Sequence, residues 1–322
     1  MFWESISQIN LFFQSLGDWL YYPMRFFSFL GDEEFYLFIM PFIFWCVDSR
    51  LGLKLGMILM LSNGVNASFK FLFHSPRPFW VNKDITAYVQ ETSFGLPSGH
   101  SQNAVSIWGY LSTLFKNKWL KTLFFTIFIL IGISRLYLGA HFILDVLAGW
   151  ILGGLLVLLF IFFEKKYEHK ISQWGDFKKI SMATLVSVLL IVVPVLLKLI
   201  NQGWTFDNAY LENITRVFTG EIPNPFSLNG VITASAAWLG LIIGMVIISK
   251  TVPLGKINSS PSQKLLRFII GVIGVLVFYL GLKLVFPEDI PVLSEVLRFV
   301  RYFIIGFWIS AGAPYIFKRL GV

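Results

Sequence analysis

The 322-residue chain is short of cysteine, histidine and charge. With Cys46 as its single cysteine, an internal disulfide and a cysteine-based metal cluster are both excluded. Only 14% of its residues are charged, 56% are hydrophobic and 17% aromatic, and mean hydropathy is +0.71, a balance no ordinary soluble domain of this length has. The apolar runs carry helix formers and glycines without alternating polar residues, so they read as membrane helices and not as barrel strands. The net charge of +8 does not point to nucleic acid, because the basic residues lie between apolar runs, where they report topology.

Residues 1–30 mix Phe2, Trp3, Ile6, Phe12 and Trp19 with Glu4, Gln8, Asn10, Gln14 and Asp18 and lack a basic leader. They read as an interfacial amphipathic helix and not as a cleaved signal. Nine apolar runs follow, at 35–47, 51–73, 100–115, 119–136, 142–163, 180–200, 230–248, 268–286 and 299–317. The first is shorter than the ~17 residues a span usually needs. Gly149 and Gly153 in the fifth allow close helix packing. Residues 201–229, with Trp204, Phe206, Asp207 and a Pro223-Asn224-Pro225 turn, read as a loop with a lid role. With nine spans, sixteen of the 26 basic residues, among them Arg50, Lys54, Lys116, Lys165, Lys166, Lys250 and Arg319, collect on one side, which the positive-inside rule makes cytoplasmic.

Three polar stretches then share the opposite side. Asn63, Asn66, Lys70, His74 and Arg77 are spaced three, four, four and three apart, one face of a helix if the helix runs that far. A lysine facing lipid would cost several kcal/mol, so Lys70 is expected to point into the bundle, while the asparagines can serve simply as glue between helices. Pro97-Ser98-Gly99-His100 opens the next apolar run, where the unpaired amides of a helix start favour an anion. Residues 134–145 hold Arg135, His141 and Asp145; four residues apart on a helix, the carboxylate could hold the imidazole in one tautomer. Taken alone, that stretch reads equally well as a helix end with a snorkelling Arg and a satisfied His.

Together the stretches read Lys70, six residues, Arg77-Pro78; Pro97-Ser98-Gly99-His100; and Ser134-Arg135, five residues, His141, three residues, Asp145. This resembles the complete three-part signature of the type 2 phosphatidic acid phosphatase superfamily, which also holds glucose-6-phosphatase and the vanadium haloperoxidases. The resemblance covers about 35–200. It implies a six-helix phosphatase core at 34–200 and does not speak for the last three spans; with the apolar runs, the expected architecture is an all-α, polytopic helical membrane protein with an interfacial segment at 1–33 and a three-helix membrane extension at 201–322.

The resemblance also implies roles. His141 attacks phosphorus and carries a phosphohistidine, Asp145 orients it, and His100 protonates the leaving oxygen and then activates water. Lys70, Arg77, Arg135, Ser98 and the backbone amide of Gly99 grip the phosphoryl oxygens, where charge-assisted bonds of about 1.5 to 3 kcal/mol each stabilise the transition state. Three cations around the site would repel a divalent ion, so neither a metal nor a cofactor is expected. His74 and His169 fall outside the signature and are read as bystanders.

The expected activity is hydrolysis of a lipid phosphate or diphosphate, of the phosphatidate, phosphatidylglycerol phosphate or polyprenyl diphosphate class. Membrane lipids are the expected partners, and the active site faces outward from a bacterial inner membrane. Three rivals remain: a lipid phosphotransferase using the same site, a sugar-phosphate phosphatase, and a lipid transporter.

Overall fold

Each of the nine apolar runs forms helix in the computed structural model, which describes residues 2–218, 222–287 and 290–322. Among the described residues the one β pairing is an isolated bridge between Asp48 and Lys256, so the protein is all-α. Helices α1 (Phe2–Ser15) and α2 (Tyr21–Phe29) precede α3 (Glu33–Phe42) with its π turn (Ile43–Val47) and the long α4 (Ser49–Phe73). A short α5 (Pro78–Val81) follows. The next apolar run is α6 (Gly99–Ala104), a π turn (Val105–Gly109) and α7 (Tyr110–Leu114). Then come α8 (Lys118–Tyr137), α9 (Ile143–Ser172), α10 (Asp176–Ile200), α11 (Asn208–Val217) and α12 (Asn229–Ile248). The chain finishes with α13 (Pro261–Leu276), α14 (Leu282–Val285), α15 (Pro291–Phe307) and α16 (Ala313–Leu320).

Six stretches among the described residues are long and apolar enough to cross a membrane: Ser49–Val81, Lys118–Tyr137, Ile143–Ser172, Asp176–Ile200, Asn229–Ile248 and Pro261–Val285. The other three of the nine expected spans, at 33–47, 99–114 and 291–320, are helical but are not among these six. Lipid cannot satisfy backbone polar groups, which is why the membrane portion of such a chain is helix and its irregular backbone is folded against protein.

Two compact units are present, each gathered from separate stretches of chain, so they do not follow the boundaries expected at 33 and 200. The first is Met1–Phe35, Val65–Ile161 and Pro194–Ser227; the second is Tyr36–Gly64, Phe162–Val193 and Leu228–Val322. In the second unit Phe44, Trp45, Leu241, Ile305 and Phe317 share a core. Polar side chains act there as glue: Ser187 Oγ and Ser235 Oγ lie 2.8 Å apart, and the indoles of Trp45 and Trp238 donate to the carbonyls of Ile309 and Ala183.

The first unit carries the signature, and two glycines set its central contact. A Cβ at Gly149 would sit 2.7 Å from the Ser98 carbonyl oxygen, and one at Gly153 2.6 Å from that of Gln102. The backbone of α6 therefore lies directly on α9, the close packing expected of these glycines.

Three local expectations change. The polar stripe of α4 does not run on to Arg77: the helix stops at Phe73 and His74 takes a left-handed φ of 49°, so only Asn63, Asn66 and Lys70 share the helix face. The 201–229 segment is not all loop. Asp207 caps α11 by accepting from the Ala209 amide, and Asn213 Nδ2 donates to the Trp80 carbonyl at 2.9 Å. In α1 it is the polar residues Ser7 and Asn10 that are buried, while Phe2 and Phe12 are exposed. An amphipathic helix in lipid turns its apolar face outward and satisfies its polar face against protein, the reverse of a helix in water.

Candidate active site

Lys70 lies in the last turn of α4, largely buried, and its Nζ donates to Ser93 Oγ at 2.7 Å. Past the turn at His74, Arg77 precedes Pro78, which restricts it to extended backbone (φ −99°, ψ 158°) and makes it the N-cap of α5. Its fully buried guanidinium donates to the carbonyls of Ala140 (2.8 Å) and Phe94 (3.2 Å) and to Ser93 Oγ (3.0 Å). Arg77 Nη1 also lies 3.3 Å from His141 Nε2.

Arg135 comes near the end of α8, buried, with Nη1 donating to Ser28 Oγ at 2.6 Å. The chain then turns through Gly139 at a φ of 69°, a left-handed position where a Cβ would also strike the Thr86 carbonyl, and reaches His141 just before α9. His141 and Asp145 thus do not share a helix face. Instead, Asp145 in the first turn of α9 folds back: its Oδ2 accepts from the Phe142 amide at 2.9 Å and lies 3.3 Å from His141 Nδ1. An arginine can only donate, so the nitrogen facing it, Nε2, holds the lone pair, and Nδ1 carries the proton toward Asp145.

Ser98 is the N-cap of α6, accepting from the amide and hydroxyl of Ser101 at 3.3 and 3.0 Å, and its own amide donates to the Asp145 carbonyl at 2.9 Å. Gly99 is the first residue of that helix, where an amide has no intrahelical partner. His100 follows, its Nε2 2.6 Å from Asp32 Oδ1. All eight expected residues therefore belong to the same compact unit. His74 is held elsewhere, its ring among Phe94, Trp204 and Phe226.

Four further residues complete the arrangement. Glu91 bridges the cations, with Oε1 on Arg135 Nη2 and Oε2 3.6 Å from Arg77 Nη2. Ser28 and Asp32 support Arg135 and His100. Asn10 Nδ2 donates to the carbonyls of both Leu136 and His141 at 2.9 Å, pinning the loop between α8 and α9. The only trace of these in the sequence is polarity: Asn10 as a polar position of an amphipathic helix, Glu91 as an acid in a loop between two basic motifs.

Electrostatics follow from this packing. Burial, then the charges of Arg77, Arg135 and Lys70, hold the His141 pKa well below the ordinary imidazole value, so the ring is neutral near pH 7. Burial alone would raise Glu91, but Arg135 and Arg77 outweigh it and hold the carboxyl well below the usual carboxylate range. An ionised carboxylate on two arginines occupies the same donors a phosphate would use. Glu91→Gln, which removes that competing charge, is expected to strengthen inhibition by orthovanadate about tenfold, the equivalent of one pK unit of interaction. An unchanged or weaker inhibition constant would show that Glu91 supports anion binding and does not oppose it.

The family model described as the PAP2 superfamily matches residues 51–168, and a second, the transmembrane extension of PAP2 superfamily phosphatases, matches 232–322. The last helices are thus a shared extension and not an unrelated block. Phosphatidylglycerophosphatase B of Bacillus subtilis (strain 168) is 31% identical over 184 residues, 53% of this chain and 85% of that protein. Sphingosine-1-phosphate phosphatase 2 of Mus musculus is 30% identical, covering 55% of this chain and 49% of its own length. Glucose-6-phosphatase 3 of Bos taurus is 26% identical over 59% of this chain and 61% of its own length. The chain therefore spans most of the Bacillus protein and about half to three-fifths of the two mammalian ones. With an intact three-part signature in one compact unit and most of a 31%-identical phosphatase matched, the chain belongs to the PAP2 superfamily and is a membrane phosphatase.

Proposed function

We propose that the protein hydrolyses a lipid phosphate at the outer surface of its membrane through a phosphohistidine on His141. The observation that carries the reading is the pairing of His141: a neutral ring with its Nε2 lone pair beside Arg77 and its Nδ1 toward Asp145, within reach of three cations. Lys70, Arg77 and Arg135, with Ser98 and the Gly99 amide, hold the phosphoryl oxygens. The Nε2 lone pair forms a bond to phosphorus while the ester P–O bond breaks, and the leaving oxygen takes its proton from His100. In the second step water loses a proton to His100, its oxygen bonds phosphorus, and the P–N bond breaks to release phosphate. Asp145, facing His141 Nδ1, orients the ring and stabilises the imidazolium that His141 becomes.

A lipid substrate is favoured by the membrane helices and by two of the three relatives, whose names specify phosphatidylglycerophosphate and sphingosine-1-phosphate. A diphosphate of the polyprenyl class presents the same terminal phosphoryl group. A second reading, a sugar phosphate, is favoured by the likeness to glucose-6-phosphatase 3. Transfer to an acceptor other than water would share the first step.

The test is phosphate release from oriented right-side-out vesicles offered phosphatidate, phosphatidylglycerol phosphate, polyprenyl diphosphate and glucose 6-phosphate. Release from a lipid phosphate without permeabilisation, and without an added acceptor, is the expected result. Activity confined to glucose 6-phosphate, dependence on an acceptor, or latency until the vesicles are opened would each overturn the corresponding part of the proposal.

A further inference from the structure

Asp32 lies 68 residues before His100, in the turn between α2 and α3 and outside the stretch matched by the superfamily model. The turn is braced by its own backbone: the Gly31 amide donates to the Ser28 carbonyl at 2.8 Å and the Asp32 amide to that of Phe29 at 3.0 Å. Ser28, at the base of the same turn, accepts from Arg135, so this stretch is tied to the site at a second point. From this position Asp32 Oδ1 reaches His100 Nε2 at 2.6 Å, with both side chains mostly shielded from solvent.

We infer that Asp32 is a positioning residue for His100, holding the ring through Nε2, leaving Nδ1 for the substrate, and favouring the protonated ring. The inference rests on the acid-base reading of His100 given above. An ionised carboxylate can only accept, so Nε2 carries a hydrogen in both protonation states and the exchangeable proton resides on Nδ1. That proton passes from Nδ1 to the ester oxygen as the P–O bond breaks, and Nδ1 recovers one from water as phosphohistidine is hydrolysed.

The other charged groups facing His100 are Arg135 from α8 and Glu91 from the segment between α5 and α6, with the His141 imidazole nearby. These two charges oppose each other in sign. Asp32 is the carboxylate in direct contact.

Asp32→Asn keeps an oxygen that can accept from Nε2 but removes the charge that stabilises the imidazolium. A general acid with a lowered pKa loses its proton earlier, so the basic limb of kcat/KM should move to lower pH, by about one unit for one lost contact charge. On an alkyl phosphate kcat should fall roughly 10- to 100-fold, part of the 10²- to 10⁴-fold contribution of an acid-base group, with KM nearly unchanged. On an aryl phosphate, whose leaving group needs little protonation, labelling of His141 should be nearly spared. Asp32→Glu, which keeps the charge, should leave the limb in place and retain more of kcat.

A carboxylate serving only the fold would lower the yield of folded protein, slow both substrates alike and leave the limb unmoved; that pattern in Asp32→Asn overturns the inference. An equal limb shift in Asp32→Glu overturns its electrostatic basis and provides the reading should the Asn variant not fold. His100→Ala is measured beside them. If it discriminates alkyl from aryl esters and Asp32→Asn does not, only the positioning role falls; if His100→Ala itself shows no discrimination, the acid-base reading falls with it.

Discussion

His141→Ala is expected to abolish both turnover and the phosphoenzyme, a loss of roughly 10⁴- to 10⁶-fold of the size seen when a covalent nucleophile is removed. The proposal gives the other charged signature side chains different tasks: Lys70, Arg77 and Arg135 act as cations, and His100, held by Asp32 through Nε2, moves the proton. The measurement is acid-labile, base-stable label on protein quenched after a short pulse of radiolabelled aryl phosphate. Label that persists in His141→Ala would reassign the nucleophile, and no label in any active form would remove the covalent mechanism. The wild-type pH profile carries a second check. Because burial and the neighbouring cations depress the His141 pKa, the nucleophile stays unprotonated as pH falls through the ordinary imidazole value of about 6.5, and label uptake should decline only below it. A decline starting above that value would contradict the sign of the shift. Asp145→Asn should slow both formation and breakdown of the intermediate, since it misorients the imidazole without removing it.

The second large effect, His100→Ala, should depend on the leaving group. A lipid alkoxide leaves poorly without a proton, so hydrolysis of a lipid monophosphate should slow by about 10²- to 10⁴-fold. An activated aryl ester needs less help, and phosphoryl transfer to His141 should be partly spared. Breakdown of the intermediate would still lack its base, so phosphohistidine should accumulate in this variant when it does not in the wild type. Equal slowing of alkyl and aryl esters, with no accumulation, would mean that His100 supports the site and moves no proton.

Much of this site was legible because its chemistry is local in sequence. Lys70 and Arg77, the Pro97 to His100 turn, and Arg135 to Asp145 each place charge or imidazole inside apolar chain, and although the last reads alone as an ordinary helix end, the three together form a signature. What local spacing could not supply was how each motif is delivered. A helix face was expected to carry Lys70 and Arg77 together, but the left-handed turn at His74 ends α4, and the extended backbone before Pro78 sends Arg77 back. Similarly, four-residue spacing suggested a helical His141–Asp145 pair, whereas Asp145 meets the imidazole by folding over the start of α9.

The partners were less legible still. Asn10, Ser28 and Asp32 belong to a segment whose hydrophobic residues suggested only an interfacial role, because an amphipathic pattern states which face is polar and not what that face will touch. Glu91 lies in a polar connection with no periodicity to mark it.

Composition and spacing alone determined that this is a helical membrane protein, and the three motifs alone pointed to its family and to eight candidate site residues, since lipid forbids other backbone arrangements and charge among apolar residues must be functional or paired. Only the tertiary structure decided that Nε2 of His141 faces Arg77, that Glu91 bridges two of the cations, and that Asp32 contacts His100. Those are contacts between residues 14 to 68 positions apart, and no pattern along the chain encodes a distance between side chains that folding alone brings together.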